Sequence, residues 1–312
     1  MKFLLPTKKT IGLEIKDYVI RYADSKKGLA APLVDEVYLP KGIIEQGVIV
    51  DPQVFEVILR NCVNKWGLKN KHVHFLVPDS YVVVRKQWIP RDVTDEEIRG
   101  YIFFELGRTI HLPFDQPTID YTVLGEKEDK REILLFAAPE DVVVSYAEML
   151  KRVKVKPISA DISSLAFFSL YRCMQQATKA EEMLLVKLDL FDANLTIFQD
   201  GAPVFMQTQS VMVEGAIEVV DDEVFVHDRT AIMLQVDELL EEIDRILHFY
   251  QYSFGQGSRE IQKIILIGDH PLRQELQSIM ESRFSFPVEH LDITEELSPK
   301  YYPALGLSLK GV

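Results

Sequence analysis

Cysteine is scarce: Cys62 and Cys173 are the only two in 312 residues, far apart and in no C-x-x-C pair. That excludes a disulfide framework and a thiolate metal site, and predicts two buried, reduced thiols in a reducing compartment. Long apolar runs are missing as well. No window reaches the roughly 18 apolar residues of a membrane helix, and Met1–Pro6 is too short an apolar start for a signal peptide. Positive charge is short: 35 Lys and Arg against 48 Asp and Glu leave a net charge of −13. Such a chain repels a phosphate backbone and an anionic lipid surface, which argues against general nucleic-acid binding. There is no G-x-S-x-G, H-E-x-x-H or G-x-x-x-x-G-K-[ST]. EF-hand spacing is absent around Asp221-Asp222-Glu223, which reads as a solvated loop. His72 and His74 share a strand face but have no third ligand near in sequence, so a solvated strand is expected there rather than a zinc site.

What is present suits a folded protein of two domains, or one long one: 47% of residues are hydrophobic and 27% charged. Alternation over Ile11–Tyr22, broken at Lys16-Asp17, predicts a hairpin. Val37–Val50 reads as loop and short strand. Asp51-Pro52 starts a helix whose face is marked by Val54, Val57, Ile58, Cys62 and Trp66, ended by Gly67. His72–Val77 is a strand, and Tyr81–Ile89 a β-branched run. Thr94 and Glu97 fit a capping box for a helix through Tyr101 and Glu105 towards Ile110, stopped by Pro113. Strands at Ile119–Leu124 and Ile133–Ala138 and a helix from Pro139-Glu140 complete a small α+β unit over 81–152. A strand at Val155–Asp161, a helix at Ile162–Ala177 and a polar linker at Gln175–Glu182 follow. Met183–Asp200 is a second hairpin, and Pro203–Thr208 extends its sheet. Ile217–Asp228 reads as acidic and irregular, Thr230–Phe249 as a long amphipathic helix. A buried strand at Ile264–Ile267 ends at Gly268-Asp269; a helix from Pro271, a strand near Val288 and a short helix at Tyr301–Leu309 close the chain.

The two hairpins open the two halves of the chain. A feature repeated at half-chain distance predicts a duplicated fold with a cleft between the halves. Hairpin turns facing such a cleft would need glycine for backbone N–H groups to approach a phosphate.

The order of these pieces resembles the sugar-kinase, heat-shock and actin superfamily, and most closely the PilM-type type IV pilus assembly proteins, relatives of the FtsA division proteins. The resemblance is carried by Glu105, Ile110, Pro113-Phe114-Asp115, Asp120-Tyr121 and Gly125-Glu126. Gly47–Asp51, Val77-Pro78, Ala160–Ala166, Glu242–Arg245 and Ala304–Leu307 add to it. It implies a two-lobed actin-like (ribonuclease H-like) α/β fold with an inserted α+β subdomain. The first lobe would hold residues 1–80 and 153–178 with the C-terminal helix returning to it. The insert would be 81–152, and the second lobe 179–312 with a smaller subdomain at about 205–260.

The sequence departs from the family where nucleotide is held. Members that bind ATP carry Asp-Ile-Gly in each hairpin and Gly-Gly after the late strand. Here these read Glu14-Ile15-Lys16, Lys187-Leu188-Asp189 and Gly268-Asp269. Lys16 puts a long side chain where backbone should meet phosphate; Asp189 and Asp269 put carboxylates there. Two like unit charges about 4 Å apart repel by roughly 1 kcal/mol in water and about 4 at intermediate dielectric. The resemblance implies that any remaining nucleotide cleft comprises Glu14, Lys16, Asp161, Asp189, Asn194, Glu242, Arg245, Gly268 and Asp269. Glu14, Asp161 and Asp189 are the magnesium candidates. Glu242 and Arg245 would equally form an intrahelical pair. No cofactor and no turnover are expected, with ATP and magnesium as the alternative.

The function implied is a cytoplasmic scaffold at the inner face of the membrane, in a type IV pilus or competence-type machine. It would hold the N-terminal tail of a PilN-like bitopic membrane protein and reach the membrane only through that partner; the assembly ATPase is a second candidate partner, and nucleic acid is not one. The tail would lie between the first lobe and the insert, with Tyr81, Val83, Arg85, Tyr101 and Phe104 as groove candidates by position and core of the insert as their other reading. The alternatives are an actin-like ATPase of the same machinery, a division-type actin homologue, whose terminal amphipathic anchor is not expected after Gly311-Val312, and a sugar kinase, whose phosphate glycines are missing.

Overall fold

The computed structural model describes residues 10–26, 28–174, 182–254, 260–289, 291, 293 and 297–310. Residues 175–181 of the linker read at Gln175–Glu182, and both chain ends, lie outside the described residues. β1 (Ile11–Ile15) and β2 (Val19–Asp24) form the expected hairpin, with Ile15 opposite Ile20. β3 (Leu33–Tyr38) pairs with β2; it begins before the loop and short strand read at Val37–Val50 and reaches into it. β4 (Ile44–Glu45) and β5 (Val48–Ile49) make a small hairpin.

α1 (Pro52–Trp66) starts as read: Asp51 Oδ1 accepts the amides of Gln53 and Val54, Pro52 takes the first turn, and Gly67 closes the helix at φ +66°. Its buried face differs from the one expected. Phe55, Leu59, Cys62 and Val63 are buried, while Val54 and Val57 are exposed. Both stripes are apolar at helical spacing, and only packing on the sheet selects between them. β6 (His72–Leu76) lies inside its sheet, between β1 and β10, so His74 is buried and its Nδ1 meets Ser159 Oγ. The solvated reading is corrected for His74 and stands for the exposed His72.

β7 (Val83–Pro90), α2 (Ile98–Glu105), β8 (Pro117–Lys127) and β9 (Lys130–Pro139) build a three-stranded sheet in the order β7-β9-β8. Ile98, Ile102 and Tyr101 of α2 pack with Ile89, Ile119, Ile133 and Leu135 on one face. Glu97 Oε2 accepts from the Thr94 amide at 3.1 Å, the capping contact expected. α2 ends at Glu105, earlier than expected, because the Glu105 carbonyl collects the amides of Arg108, Thr109 and Ile110 in a tight turn in which Gly107 has φ +75°. α3 (Glu140–Arg152) was grouped with the insert, yet Tyr146, Met149 and Leu150 belong to the core of the first sheet, and Tyr146 Oη donates to Gly47 O at 2.9 Å. β10 (Lys156–Asp161) and α4 (Ser163–Met174) follow. Cys173, expected to be buried, is exposed; α4 packs through Ala166, Phe167, Leu170 and Tyr171.

The second half repeats the first. β11 (Met183–Leu188), β12 (Asp192–Gln199) and β13 (Ala202–Ser210) form an antiparallel run. β14 (Ile217–Val220) and β15 (Glu223–Val226) make a hairpin where irregular chain was expected. Its turn places Asp221 at φ +49° and Asp222 at φ +66°, the two left-handed residues of a tight hairpin turn. α5 (Arg229–Phe249), β16 (Lys263–Ile267), α6 (Arg273–Arg283), β17 (Val288–Glu289) and α7 (Tyr302–Ser308) complete the fold.

The sheets run β10-β6-β1-β2-β3 and β17-β16-β11-β12-β13. Each is an antiparallel meander of three strands followed by two parallel strands, so the duplication inferred from the hairpins is present in the topology. α4 and α7 bring the sheets together, in a core that joins Ala23 of β2 and Phe167 to Leu185 and Ile265 of the second sheet. α7 returns to the first lobe at very close range. A Cβ on Gly306 would stand 1.8 Å from Ala166 O, and one on Gly12 1.9 Å from Ala304 O.

Candidate functional site

The turns β1–β2 and β11–β12 face each other across a cleft, beside a cavity of about 440 Å³. The side chains that replaced the phosphate glycines bind one another. Lys16 Nζ lies 2.7 Å from Asp189 Oδ1 and 3.7 Å from Asp269 Oδ2. Lys187 Nζ lies 2.8 Å from Asp189 Oδ2 and 3.1 Å from Asp79 Oδ2. Asp269 also accepts from Tyr18 Oη at 2.8 Å and from the Arg21 guanidinium, which in turn holds Glu36 at 2.9 Å. Glu14 sits among the three cations, with Lys16 at 3.5 Å, Arg21 at 3.7 Å and Lys187 at 3.9 Å, and both its oxygens are buried without a hydrogen bond.

Local structure explains this convergence. Lys187 stands in a strand that is otherwise apolar and buried, and Arg21 in the buried run Val19–Ala23 of β2. A charge there persists only beside counter-charges. Arg21 is 1% exposed and its pKa is raised: burial works against the charge, and Asp269, Tyr18, Glu14 and Glu36 outweigh it. Lys187 behaves alike: burial lowers its pKa, but Asp189, Asp79 and Glu14 carry it well above the ordinary value. Burial pushes the Asp269 carboxyl up, yet Arg21 and Lys16 hold it well below the usual carboxylate range. At Asp192, on the β11–β12 turn, burial and the neighbouring Asp189 outweigh Lys187 and Lys16 and push the carboxyl up to about 7.

The arrangement does not fit a magnesium triphosphate. The turns carry the Lys16 and Lys187 ammonium groups, each already paired with a carboxylate. Among the described residues no three acidic, His or Cys side chains are placed to hold a metal ion. Gly268 has a packing reason of its own: at φ +113°, a Cβ there would lie 2.0 Å from Leu188 O.

Of the residues singled out from sequence, Glu14, Lys16, Asp189, Gly268 and Asp269 meet at the cleft. Asp161 does not join them; it pairs with Lys310. Asn194 is buried in the second sheet, donating to Thr208 Oγ1 at 3.0 Å and accepting from Thr196 Oγ1 at 2.7 Å. Glu242 and Arg245 form the intrahelical pair, and Gln207 Nε2 donates to Glu242 at 2.8 Å. Thr208 lines the cavity, so its strand neighbour Gln207, and with it Glu242, lies on the opposite face of β13. Tyr18, Arg21, Asp79 and Asp192 were missed. The available signal was a charge inside an apolar strand, which marks Arg21 as it marks Lys187. Among the groove candidates, Tyr81 lines the cavity, Val83 and Tyr101 pack into the insert, and Arg85 donates to His111 O at 3.3 Å. Phe104 is 61% exposed, with the Arg108 guanidinium 4.0 Å from its ring centre.

Two sheets of one strand order, meeting at paired hairpin turns and carrying an inserted subdomain, define an actin-like α/β fold. The chain is similar to the structure of a PilM–PilN type IV pilus biogenesis complex, with TM-score 0.79 at 17% identity, over 97% of this chain and 98% of that one. The ethanolamine utilization protein EutJ from Carboxydothermus hydrogenoformans matches with TM-score 0.55 at 10% identity, over 98% and 91%. A Bacteroides thetaiotaomicron protein with actin-like ATPase fold matches with TM-score 0.47 at 11% identity, over 93% and 94%. The model of the type IV pilus assembly protein PilM family matches residues 12–215, and the chain belongs to that family. No curated protein sequence matches it.

Proposed function

We propose that this chain is a cytoplasmic scaffold of a type IV pilus or related assembly machine, holding the short N-terminal tail of a PilN-like bitopic membrane protein. The observation that carries the reading is the likeness to the PilM–PilN complex over nearly the whole chain, within a matched PilM family. Among the described residues no helix is long and apolar enough to cross a membrane, which suits a protein brought there by its partner. Tails beside a membrane helix on the cytoplasmic side carry an excess of Lys and Arg. A chain of net charge −13 complements such a tail. The turns of the cleft, already tied by their own ion pairs, favour protein docking over nucleotide turnover as its work.

The tail docks between the first lobe and the insert. Tyr81 at the cavity wall and the exposed Phe104 are the side chains available to it. Buried aromatic anchors dominate such interfaces, and truncating one costs about 2 kcal/mol or more. Calorimetric titration with a synthetic tail peptide of the PilN-like partner tests this. Micromolar binding is expected, weakened at least about ten-fold by Tyr81→Ala or Phe104→Ala with thermal stability unchanged. Absence of binding, or equal binding by both variants, refutes the reading.

A further inference from the structure

A ligand in a cleft touches both walls and so ties them together. Here the walls are tied by side chains of the protein itself. Among the contacts that cross from one lobe to the other are Lys16 to Asp189 at 2.7 Å, Asp79 to Lys187 at 3.1 Å, and Tyr18 and Arg21 to Asp269, the tyrosine at 2.8 Å. We propose that this network is an internal latch, which takes the place of a nucleotide and fixes the closure of the two lobes.

Three features distinguish a latch from scattered surface pairs. First, every charged side chain in it is at most 11% exposed, so salt screens it little. Second, the pairs share members. Asp189 serves Lys16 and Lys187, and Asp269 serves Tyr18, Arg21 and Lys16. Opening the cleft therefore strands several charges at once in a poorly solvated site, and partial opening gains nothing. Third, an apolar seam runs beside the ions. Tyr18 and Val19 of the first hairpin pack with Leu190 of the second, and the Tyr18 ring meets Phe191 edge-on at 5.3 Å between centres. The Tyr18 hydroxyl joins the two layers: its ring closes the seam and its Oη holds Asp269. A docking surface built on this frame keeps its geometry whatever the cell's nucleotide level. This reading does not depend on which partner docks.

Hydrogen exchange and small-angle scattering on the full chain test the latch. Asp269→Asn and Lys16→Met should speed amide exchange at residues 16–20 and 189–192 at least about ten-fold and raise the radius of gyration. Lys310→Met, which breaks an ion pair within the first lobe, should leave both turns as they are. Tyr18→Phe removes a single hydroxyl and keeps the seam; it should speed exchange at both turns to a smaller degree even if the charge variants do not fold. Millimolar Mg·ATP should change nothing in the wild type. Unchanged exchange in Tyr18→Phe or in the folded charge variants overturns the proposal, and so does protection of the wild-type turns by Mg·ATP.

Discussion

Replacing Lys187 by methionine keeps the volume of the side chain and removes one charge from the centre of the cleft. Its ammonium lies 2.8 Å from Asp189 and 3.1 Å from Asp79, with Glu14 at 3.9 Å. At an effective dielectric of about 20, two unit charges 3 Å apart attract by about 5–6 kcal/mol. Desolvating the ammonium offsets much of that, several kcal/mol per buried ion. What the substitution exposes is the other half of the arrangement: buried carboxylates short of one cation. Removing one partner of such a buried pair costs about 3–5 kcal/mol. Lys16 and Arg21 remain to compensate Asp189 and Glu14, which favours the lower end. The lysine keeps its charge across the working pH range. Lys187 has a raised pKa in the folded state. Its contribution is therefore complete below the unfolded value near 10.4 and is not lost between pH 5 and 8. Urea unfolding of both proteins at the two pH values, with equal slopes, measures it. A cost below about 1 kcal/mol at either pH would refute the reasoning.

Asp192 gives the opposite sign. Its carboxyl titrates at about 7 in the fold, above its unfolded value, so ionising it is a penalty fully present above that pH and relieved as pH falls through it. Asp192→Asn should therefore stabilise by on the order of 2 kcal/mol at pH 8, after allowance for partial exposure, by about a third of that at pH 5, and by nothing only below the unfolded value near 3.9. Gly306→Ala drives a methyl to 1.8 Å from Ala166 O and should cost about 3 kcal/mol in urea unfolding; a loss under about 1 would mean α7 is not wedged against α4. Gly268→Ala adds an unfavourable backbone conformation to a 2.0 Å contact with Leu188 O. Its melting temperature should drop equally with and without Mg·ATP, because the glycine serves packing; a drop seen only with nucleotide would point to a phosphate cradle.

Local chemistry was legible in the sequence. Asp51-Pro52 and Gly67 fixed the ends of α1, Thr94 and Glu97 marked the start of α2, and alternation marked the first hairpin, because caps, turns and period-two patterns act over a few residues. The loss of the phosphate glycines was equally visible at Lys16, Asp189 and Asp269. Less visible was the Asp221-Asp222 hairpin, whose turn uses left-handed aspartates in place of glycine. What the sequence by itself determined is thus which elements form, that they repeat, and which chemistry the turns had lost. Tertiary structure decided the face α1 buries, the burial of His74 and the partners of every ion in the cleft. Asp79 meets a lysine 108 positions later and Arg21 an aspartate 248 positions away. No local pattern encodes such distances, because a buried charge chooses its partner only once the two sheets have brought their hairpin turns together.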